Sequence, residues 1–273
     1  MASHAVVLPT LLIAAERDDV RSSLEQMLRL YGVRQVQSVP EAQALATASR
    51  MVPDVIIVGA EQKIEHAAAL IRDLRANLVT RHTPIVARVG ATSQSSADSL
   101  RSAGADRVVL ATSEPSTLIN TVIRLSDVPE PCRALRELRR SLAGIRQRAG
   151  DTRTDAAAAR VRTSQLSSAL QQFRLCMLAV ESSGRCVGVN ATTSAVTGLS
   201  RDEIVGKDLW DFVRSTTNRD LRTSWPTILV VGALSGPCVI RKRDGGTLPA
   251  DMCAAAAILP ELHVAAIQAT TTT

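Results

Sequence analysis

Five short apolar segments alternate with amphipathic stretches along the first half of the chain, and this alternation limits the possible folds more than any other feature. The apolar segments are residues 10–15, 35–39, 55–58, 85–89 and 107–110. Short apolar runs of this kind are typical of parallel strands buried on both faces. Between them apolar residues recur at helical spacing, as in Val20, Leu24 and Leu28. We therefore predict a doubly wound α/β domain with a parallel sheet over residues 8–127.

Four segments of this domain resemble the receiver domains of bacterial response regulators. They are residues 11–32, 53–59, 83–91 and 103–111, each at the expected distance from the next. The resemblance covers essentially the whole first domain and implies a flavodoxin-like fold. It also implies an acidic pair for Mg²⁺ after the first strand and a phosphate-accepting aspartate at the end of the third. A hydroxyl after the fourth strand and a lysine after the fifth complete the family's site.

The residues at those positions depart from the family's chemistry. In chain order they are Ala15 and Glu16 for the acidic pair, Gly59 for the phospho-acceptor, Val89 for the hydroxyl and Ala111 for the lysine. Carboxylates suit a hard divalent ion, and a cation offsets phosphoryl charge, so these replacements remove most of both functions. The sequence therefore predicts a pseudo-receiver that does not transfer phosphoryl groups. Its last strand and helix, where receivers commonly dimerise, are then the expected interaction surface.

Three further acids lie near the vacated positions, namely Asp18, Asp19 and Glu61. Asp18 and Asp19 stand where they would cap the first helix and favour its positive end. Weak residual metal binding by Glu16 together with these two aspartates stays open as an alternative. The four histidines form no metal-ligand spacing, so no other metal site is expected.

A heptad pattern follows in the connector, residues 128–175, and predicts a coiled-coil helix. One core position holds Leu135, Leu142, Ala149, Ala156, Thr163, Leu170 and Met177, and the other holds Leu138, Ile145, Thr152, Ala159, Leu166 and Phe173. The simplest partner strand is a second copy of the chain, which predicts a homodimer. Small residues and Gly150 weaken the middle of the seam. The alternative is a broken helix with a loop at residues 150–155.

The last segment, residues 176–270, predicts an α+β domain. Strand patterns cover residues 176–180 and 185–189, and helical segments continue to about residue 233. Two more strands, 239–243 and 247–258, flank the turn Asp244-Gly245-Gly246, and a last strand covers 263–269. Antiparallel strands around a helical middle are typical of this fold class.

Two segments of this domain, residues 177–213 and 241–252, resemble PAS domains, which are sensor and dimerisation modules. The resemblance implies a possible ligand pocket between sheet and helices, with Asn190, Trp210, Phe212 and Trp225 as candidate lining residues. Haem-binding members use a histidine on the helix before the hairpin, and residues 218–236 contain none. The photoactive flavin subgroup uses a cysteine that residues 214–218 lack. No cofactor is therefore evident, and haem and photoactive flavin are disfavoured. We expect His263 on the last strand to be a packed or edge residue.

Composition limits the environment and the partners. The five cysteines form no CxxC pair, which favours free thiols in a reducing cytoplasm. No apolar run reaches the ~20 residues of a membrane span. The net charge of +6 is almost entirely arginine, concentrated in residues 133–162. Nucleic-acid binding by this stretch is disfavoured against a solvated helix surface, because no base-reading motif accompanies the charge.

These features together predict a non-enzymatic signal-transduction adaptor. We expect a cytoplasmic homodimer that acts in a phosphorelay or a transcription-regulating pathway, with a partner such as a histidine kinase or a regulator. No nucleophile–base arrangement, phosphate loop or output domain is found along the chain. Two alternatives stay open. The first is a sensor whose PAS pocket holds a ligand or cofactor, and the second is the sensory half of a truncated or split histidine kinase.

Overall fold

The computed structural model describes residues 9–61, 63–90, 94–143, 156–217 and 220–270. The chain divides into two compact units, Met1–Val128 and Pro129–Thr273. Within the described ranges, no helix is long and apolar enough to cross a membrane.

The first unit is a five-stranded parallel sheet with helices between the strands. Its strands are β1 (Thr10–Ala14), β2 (Gln35–Val39), β3 (Val55–Ala60), β4 (Ile85–Val89) and β5 (Arg107–Leu110). Its helices are α1 (Asp18–Leu30), α2 (Glu41–Met51), α3 (Ile64–Ala76), α4 (Gln94–Ala103) and α5 (Pro115–Ser126). The strand order is β2-β1-β3-β4-β5, which is the flavodoxin-like order. The predicted doubly wound fold is confirmed.

Both faces of this sheet are covered, which explains the continuously apolar strands. All six residues of β3 are buried. On one face, strand residues pack with α1 and α5 through Leu24, Leu28 and Ile119. On the other face, they pack with α2, α3 and α4. Because β1 and β3 are neighbours whose chain connections run in opposite directions, their carboxyl ends border the crevice in which doubly wound proteins bind ligands.

The second unit contains a six-stranded antiparallel sheet, in the order β7-β6-β11-β10-β9-β8. The strands are β6 (Cys176–Glu181), β7 (Cys186–Val189), β8 (Val213–Ser215), β9 (Ala233–Arg241), β10 (Thr247–Leu259) and β11 (Leu262–Ala269). Its helices are α6 (Glu130–Ser141), α7 (Ala156–Leu170), α8 (Ala191–Thr197), α9 (Arg201–Ile204) and α10 (Leu221–Val231), with a 3-10 turn at Leu209–Asp211. The predicted α+β class is confirmed, although β8 lies in a region predicted to be helical and β9 begins six residues before the predicted strand.

The connector helices differ from the predicted coiled coil. The heptad leucines lie against one face of the sheet in their own chain, with Ile258 and Val264 among their neighbours. The buried heptad residues are Leu135, Leu138, Leu142, Leu166, Leu170, Phe173 and Met177. An apolar stripe at 3-4 spacing fits a sheet as well as a second helix, and here the sheet covers it. The predicted soft centre and the alternative loop at residues 150–155 fall largely within 144–155, outside the described residues.

Candidate functional site

The crevice at the carboxyl ends of β1 and β3 is closed by contact between two small residues. Ala15 and Gly59 are both buried there. A β-carbon built on Gly59 would lie 2.7 Å from the β-carbon of Ala15 and 3.6 Å from Val20 Cγ1. A separation under 3 Å is a steric clash. A side chain at position 59 therefore has no room unless β1 or β3 shifts.

The two acids at the mouth of the crevice are paired with basic residues of the same chain. Lys63 Nζ lies 3.1 Å from Glu16 Oε1. Arg88 on β4 forms an ion pair with Glu61, and both side chains are about one-fifth exposed (21 % and 19 %). Partial burial protects such a pair from solvent screening better than full exposure does. Glu16 is therefore the one acid left at a family position, and its carboxylate already has a cation.

The two aspartates at the start of α1 are also paired. Arg21 lies 2.8 Å from Asp18 and donates to the carbonyl of Ala15 at 2.6 Å. Arg17 forms a hydrogen-bonded ion pair with Asp19, which lowers the pKa of that carboxyl. The residue before the first helical turn is Arg17, and no side chain caps α1 there. The predicted capping role of Asp18 and Asp19 is therefore wrong, although both lie in the first turn, where the helix dipole favours negative charge.

Sequence reasoning missed two residues of this crevice. Glu41, at the start of α2, and Lys63, before α3, line it together with Glu16 and Glu61. Burial raises the pKa of Glu41, and the nearby Glu16 charge raises it further. The remaining cavity is about 20 Å³, enough for roughly one water molecule. Arg88 was detectable from the sequence, because it is a charged residue in an otherwise apolar strand.

The other two family positions, Val89 and Ala111, lie one and two strands away from β3 in the sheet. Val89 is fully buried in the core, and Ala111 follows β5. The Ala111 N–H donates to the Val89 carbonyl at 2.6 Å, so the two meet through their backbones. Neither lines the crevice beside Ala15 and Gly59. The structure thus brings Ala15, Glu16 and Gly59 together at one cavity and places Val89 and Ala111 next to each other along the same sheet edge.

The magnesium ion that the receiver resemblance implies does not fit the residues present. Octahedral Mg²⁺ binding draws on carboxylates and waters in a defined arrangement. In the crevice the carboxylate at the family position, Glu16, is already paired with Lys63. Across the described ranges, the chain contains no group of three or more His, Cys, Asp or Glu residues placed to hold a metal ion.

The interior of the second unit is almost filled. The cavity between its sheet and its helices is about 10 Å³, whereas pockets for small molecules are usually about 300–1,000 Å³. Of the four predicted pocket residues, Phe212 lines this cavity. Trp210 instead covers Gly184, with Arg222 over its ring at 5.8 Å. Trp225 is buried in the core and donates to the Ser182 carbonyl at 3.1 Å.

Asn190 has a structural role rather than a place in the interior cavity. Its side-chain oxygen accepts from the backbone N–H groups of Thr193 and Met177 at 3.0 and 3.1 Å. Its amide donates to the carbonyls of Phe173 and Leu175 at 3.0 and 2.8 Å. Asn190 therefore caps α8 and joins the end of the connector to β6. It also borders an open groove of about 820 Å³ between α7 and β7.

Ser182, His263 and Glu261 form a hydrogen-bonded cluster that is not a catalytic triad. The Ala257 N–H donates to His263 Nδ1 at 2.9 Å. Neutral His263 must then carry its proton on Nε2, which lies 3.0 Å from Ser182 Oγ. The Ser182 hydroxyl donates in turn to Glu261 at 3.2 Å. Because Nε2 already holds a proton, His263 cannot act as the base for Ser182. Burial lowers the pKa of His263, as expected for a packed residue.

Comparisons with known proteins support a PAS domain in the second unit. Residues 164–262 match the family model described as the PAS fold. The PAS domain of an HTR-like protein from Haloarcula marismortui is 17 % identical, with a TM-score of 0.34, and the match covers 41 % of this chain and 99 % of that one. A comparison with curated proteins found no match.

Receiver domains are also among the similar structures. The chemotaxis response regulator CheY4 of Vibrio cholerae is 21 % identical, with a TM-score of 0.39 and coverage of 44 % of this chain and 99 % of that one. The receiver domain of a sensor histidine kinase from Pseudomonas aeruginosa PAO1 is 22 % identical, with a TM-score of 0.40 and coverage of 44 % and 98 %. The first unit has the flavodoxin-like strand order that receiver domains share. A receiver fold joined to a PAS domain supports a role in signal transduction.

Proposed function

We propose that this chain is a non-catalytic signalling adaptor, in which a receiver domain unable to accept phosphate is joined to a PAS module. The observation that carries the proposal is the contact between Ala15 and Gly59. This contact fills the place where a receiver needs a phospho-acceptor and its metal. Because Gly59 has no side chain, the position from which a receiver's aspartate accepts the phosphoryl group holds no nucleophile.

The paired acids around the crevice support the same proposal. Glu16 is held by Lys63, and Glu61 by Arg88. A Mg²⁺ ion would have to displace these cations from the carboxylates before it could bind. These two cations offset the charges of Glu16 and Glu61, and burial raises the pKa of Glu41, the third acid that lines the crevice.

The cluster around His263 supports a non-enzymatic role for the second unit. Its serine hydroxyl has a carboxylate acceptor, and its histidine donates to that hydroxyl. Because His263 presents an N–H and not a lone pair to that hydroxyl, it is not placed to take the serine's proton. The nearly filled interior favours a PAS module that transmits signals through its surfaces over one that senses a large bound cofactor.

The partner we propose is another cytoplasmic signalling protein, such as a histidine kinase or a regulator. Free thiols at all five cysteines agree with that reducing compartment. A second copy of the chain is also a proposed partner, through surfaces other than the buried connector leucines. Light scattering after size-exclusion chromatography measures this directly: a single-chain mass at all concentrations would contradict the homodimer.

The central test is phosphorylation by a small-molecule donor. The full chain is incubated with acetyl phosphate and MgCl₂, and its intact mass is compared with that of a competent receiver domain treated in parallel. We expect the competent receiver to gain a phosphoryl group and this chain to gain none. A donor-dependent adduct that maps to residues 10–126 would overturn the proposal.

A magnesium titration by calorimetry tests the metal part separately. We expect no saturable heat at millimolar Mg²⁺, because Glu16 and Glu61 in the crevice, and Asp18 and Asp19 beside it, each have a cation of this chain as partner. The matched variant is Lys63→Met, which frees Glu16. Saturable binding by the unmodified chain would contradict the proposal, whereas binding that appears in Lys63→Met alone would support the role of the pairing.

A further inference from the structure

The pairing of β10 with β11 is interrupted by a bulge close to the turn that joins the two strands. Ala255 lies opposite Val264 and Leu259 lies opposite Leu262, so residues 256–258, the β10 bulge, lie opposite one residue of β11. Ala257, in the middle of the β10 bulge, has a φ of 51°, in the left-handed region that disfavours residues with a β-carbon. A residue in this conformation persists only where its surroundings hold it there.

The peptide group between Ala256 and Ala257 is held from both sides by buried side chains. Its N–H, which belongs to Ala257, donates to His263 Nδ1 at 2.9 Å. Its carbonyl, which belongs to Ala256, accepts from the Arg139 guanidinium of α6 at 3.2 Å. His263 is 6 % exposed and Arg139 is 7 % exposed. One side chain from β11 and one from α6 therefore fix the orientation of the same peptide group.

The surroundings of the His263 ring keep it neutral at pH 7. Nε2 lies 3.0 Å from the Ser182 hydroxyl of β6, and the Trp225 ring of α10 stands edge-on, with 5.9 Å between the ring centroids. The charged groups near the ring are Glu261, in the turn before β11, and Arg139, on the far side of the peptide group. Burial lowers the pKa of His263, and the Glu261 charge raises it by less. The ring is therefore protonated at a lower pH than that of an exposed histidine.

We propose that His263, the Ala256–Ala257 peptide group and Arg139 form a pH-sensitive switch, in which protonation of His263 turns the peptide group over and detaches α6 from the β10 bulge. A proton taken from solvent at Nδ1 presents an N–H to the N–H of Ala257, so two donors face each other. Rotation of the peptide group relieves this and turns its carbonyl toward the imidazolium, which binds it with a charge-assisted hydrogen bond. That carbonyl is the one that Arg139 binds, so Arg139 loses an acceptor.

The backbone of the β10 bulge favours the same change and confines it to α6. Rotation of the peptide group takes Ala257 out of the left-handed region, where its β-carbon is crowded. The Ala256 N–H belongs to the preceding peptide group and donates to the Gly232 carbonyl at the end of α10 at 2.9 Å. The bulge therefore stays attached to α10 while it releases α6. Because α6 begins at Glu130, directly after the boundary between the two units, the switch acts on the segment that joins them.

The test is an NMR titration of the full chain from pH 7.5 to pH 5. Ring nitrogen signals report protonation of His263, and the Ala257 amide and the Arg139 guanidinium report the two sides of the peptide group. We expect all three to share one midpoint below pH 6.5, while circular dichroism shows a folded chain. Amides of α6 should exchange with deuterium at least about tenfold faster below the midpoint, after correction for intrinsic exchange rates. If His263 titrates without a response of Ala257 and α6, or only as the second unit unfolds, the proposal is wrong.

Two variants and one control complete the design. His263→Asn, whose side-chain oxygen accepts the Ala257 N–H without titrating, should keep the α6 amides protected throughout the pH range. Ala257→Gly should lower the midpoint by roughly half a pH unit, because glycine adopts the left-handed conformation freely and so stabilises the attached form. His66→Asn, at an exposed position in the first unit, should leave the midpoint unchanged. Faster α6 exchange at low pH in His263→Asn, or a midpoint that Ala257→Gly does not lower, would overturn the proposal.

Discussion

Gly59 and Ala15 lie so close at the carboxyl ends of β3 and β1 that a β-carbon on Gly59 would be 2.7 Å from the β-carbon of Ala15. Glycine is required at position 59 for space and not for backbone conformation, because its φ angle is outside the left-handed region. The loss of the acceptor side chain and the packing of the crevice are therefore one structural feature. This pair gives the first of four predictions.

Gly59→Ala should lower the free energy of unfolding of the first unit by about 1–3 kcal/mol, the usual cost of overpacking a core. In the double variant with Ala15→Gly, part of that loss should be recovered, because the clashing methyl group is gone. Circular dichroism during urea unfolding measures both units, whereas tryptophan fluorescence reports the second unit, which holds Trp210 and Trp225. Purely additive effects of the two substitutions would contradict the contact.

Leu138→Ala should lower the free energy of unfolding of the second unit by about 2–5 kcal/mol, the range for truncating a buried leucine. Leu138 is fully buried against the sheet of its own chain. The fluorescence midpoint in urea should therefore fall by the same amount at every protein concentration. Glu137→Ala, at an exposed position on the same helix, is the matched control. If the fall caused by Leu138→Ala changed with protein concentration, and that of Glu137→Ala did not, a second copy would cover the connector leucines.

Asn190→Ala should lower the free energy of unfolding of the second unit by roughly 2–4 kcal/mol, since buried backbone groups lose their partners and α8 loses its cap. The Leu175 carbonyl loses its side-chain donor, whereas the Met177 N–H and the Phe173 carbonyl each lose one of two partners and keep Thr193 and Thr192. Ser194→Ala, at a half-buried position on α8, serves as the control in the same urea experiment. Equal effects of the two substitutions would show that the Asn190 side chain does not join the end of the connector to β6.

The stability of the second unit should fall as pH decreases from 7, through the titration of His263. Burial holds the folded-state pKa of His263 below the usual value of about 6.5, so below that pH the unfolded chain binds a proton that the folded chain resists. The free energy of unfolding should begin to fall near pH 6.5 and continue to fall down to the lowered pKa. Its slope should be at most about 1.4 kcal/mol per pH unit.

His263→Asn tests the assignment, because its side-chain oxygen can accept the Ala257 N–H without titrating. The variant should show a smaller dependence of the fluorescence midpoint on pH between 7 and 5.5. His66→Asn, at an exposed position in the first unit, should leave the dependence unchanged. If the midpoint of His263→Asn depends on pH as strongly as that of the unmodified chain, another group causes the dependence.

Much of the fold follows from local pattern. The strands of the first unit were predictable almost to the residue, because buried parallel strands must be apolar throughout and helices must alternate with them. The departures from receiver chemistry at Ala15, Gly59, Val89 and Ala111 were equally visible. By contrast, β8 was not predictable, because three residues are too few to show a period.

The sequence by itself determined which side chains can carry chemistry at the sheet edge, since an alanine or a glycine excludes a nucleophile in any fold. Only the tertiary structure decided what the connector leucines contact. A helix with one apolar stripe must bury it, but the stripe does not specify whether a sheet or a second helix will cover it.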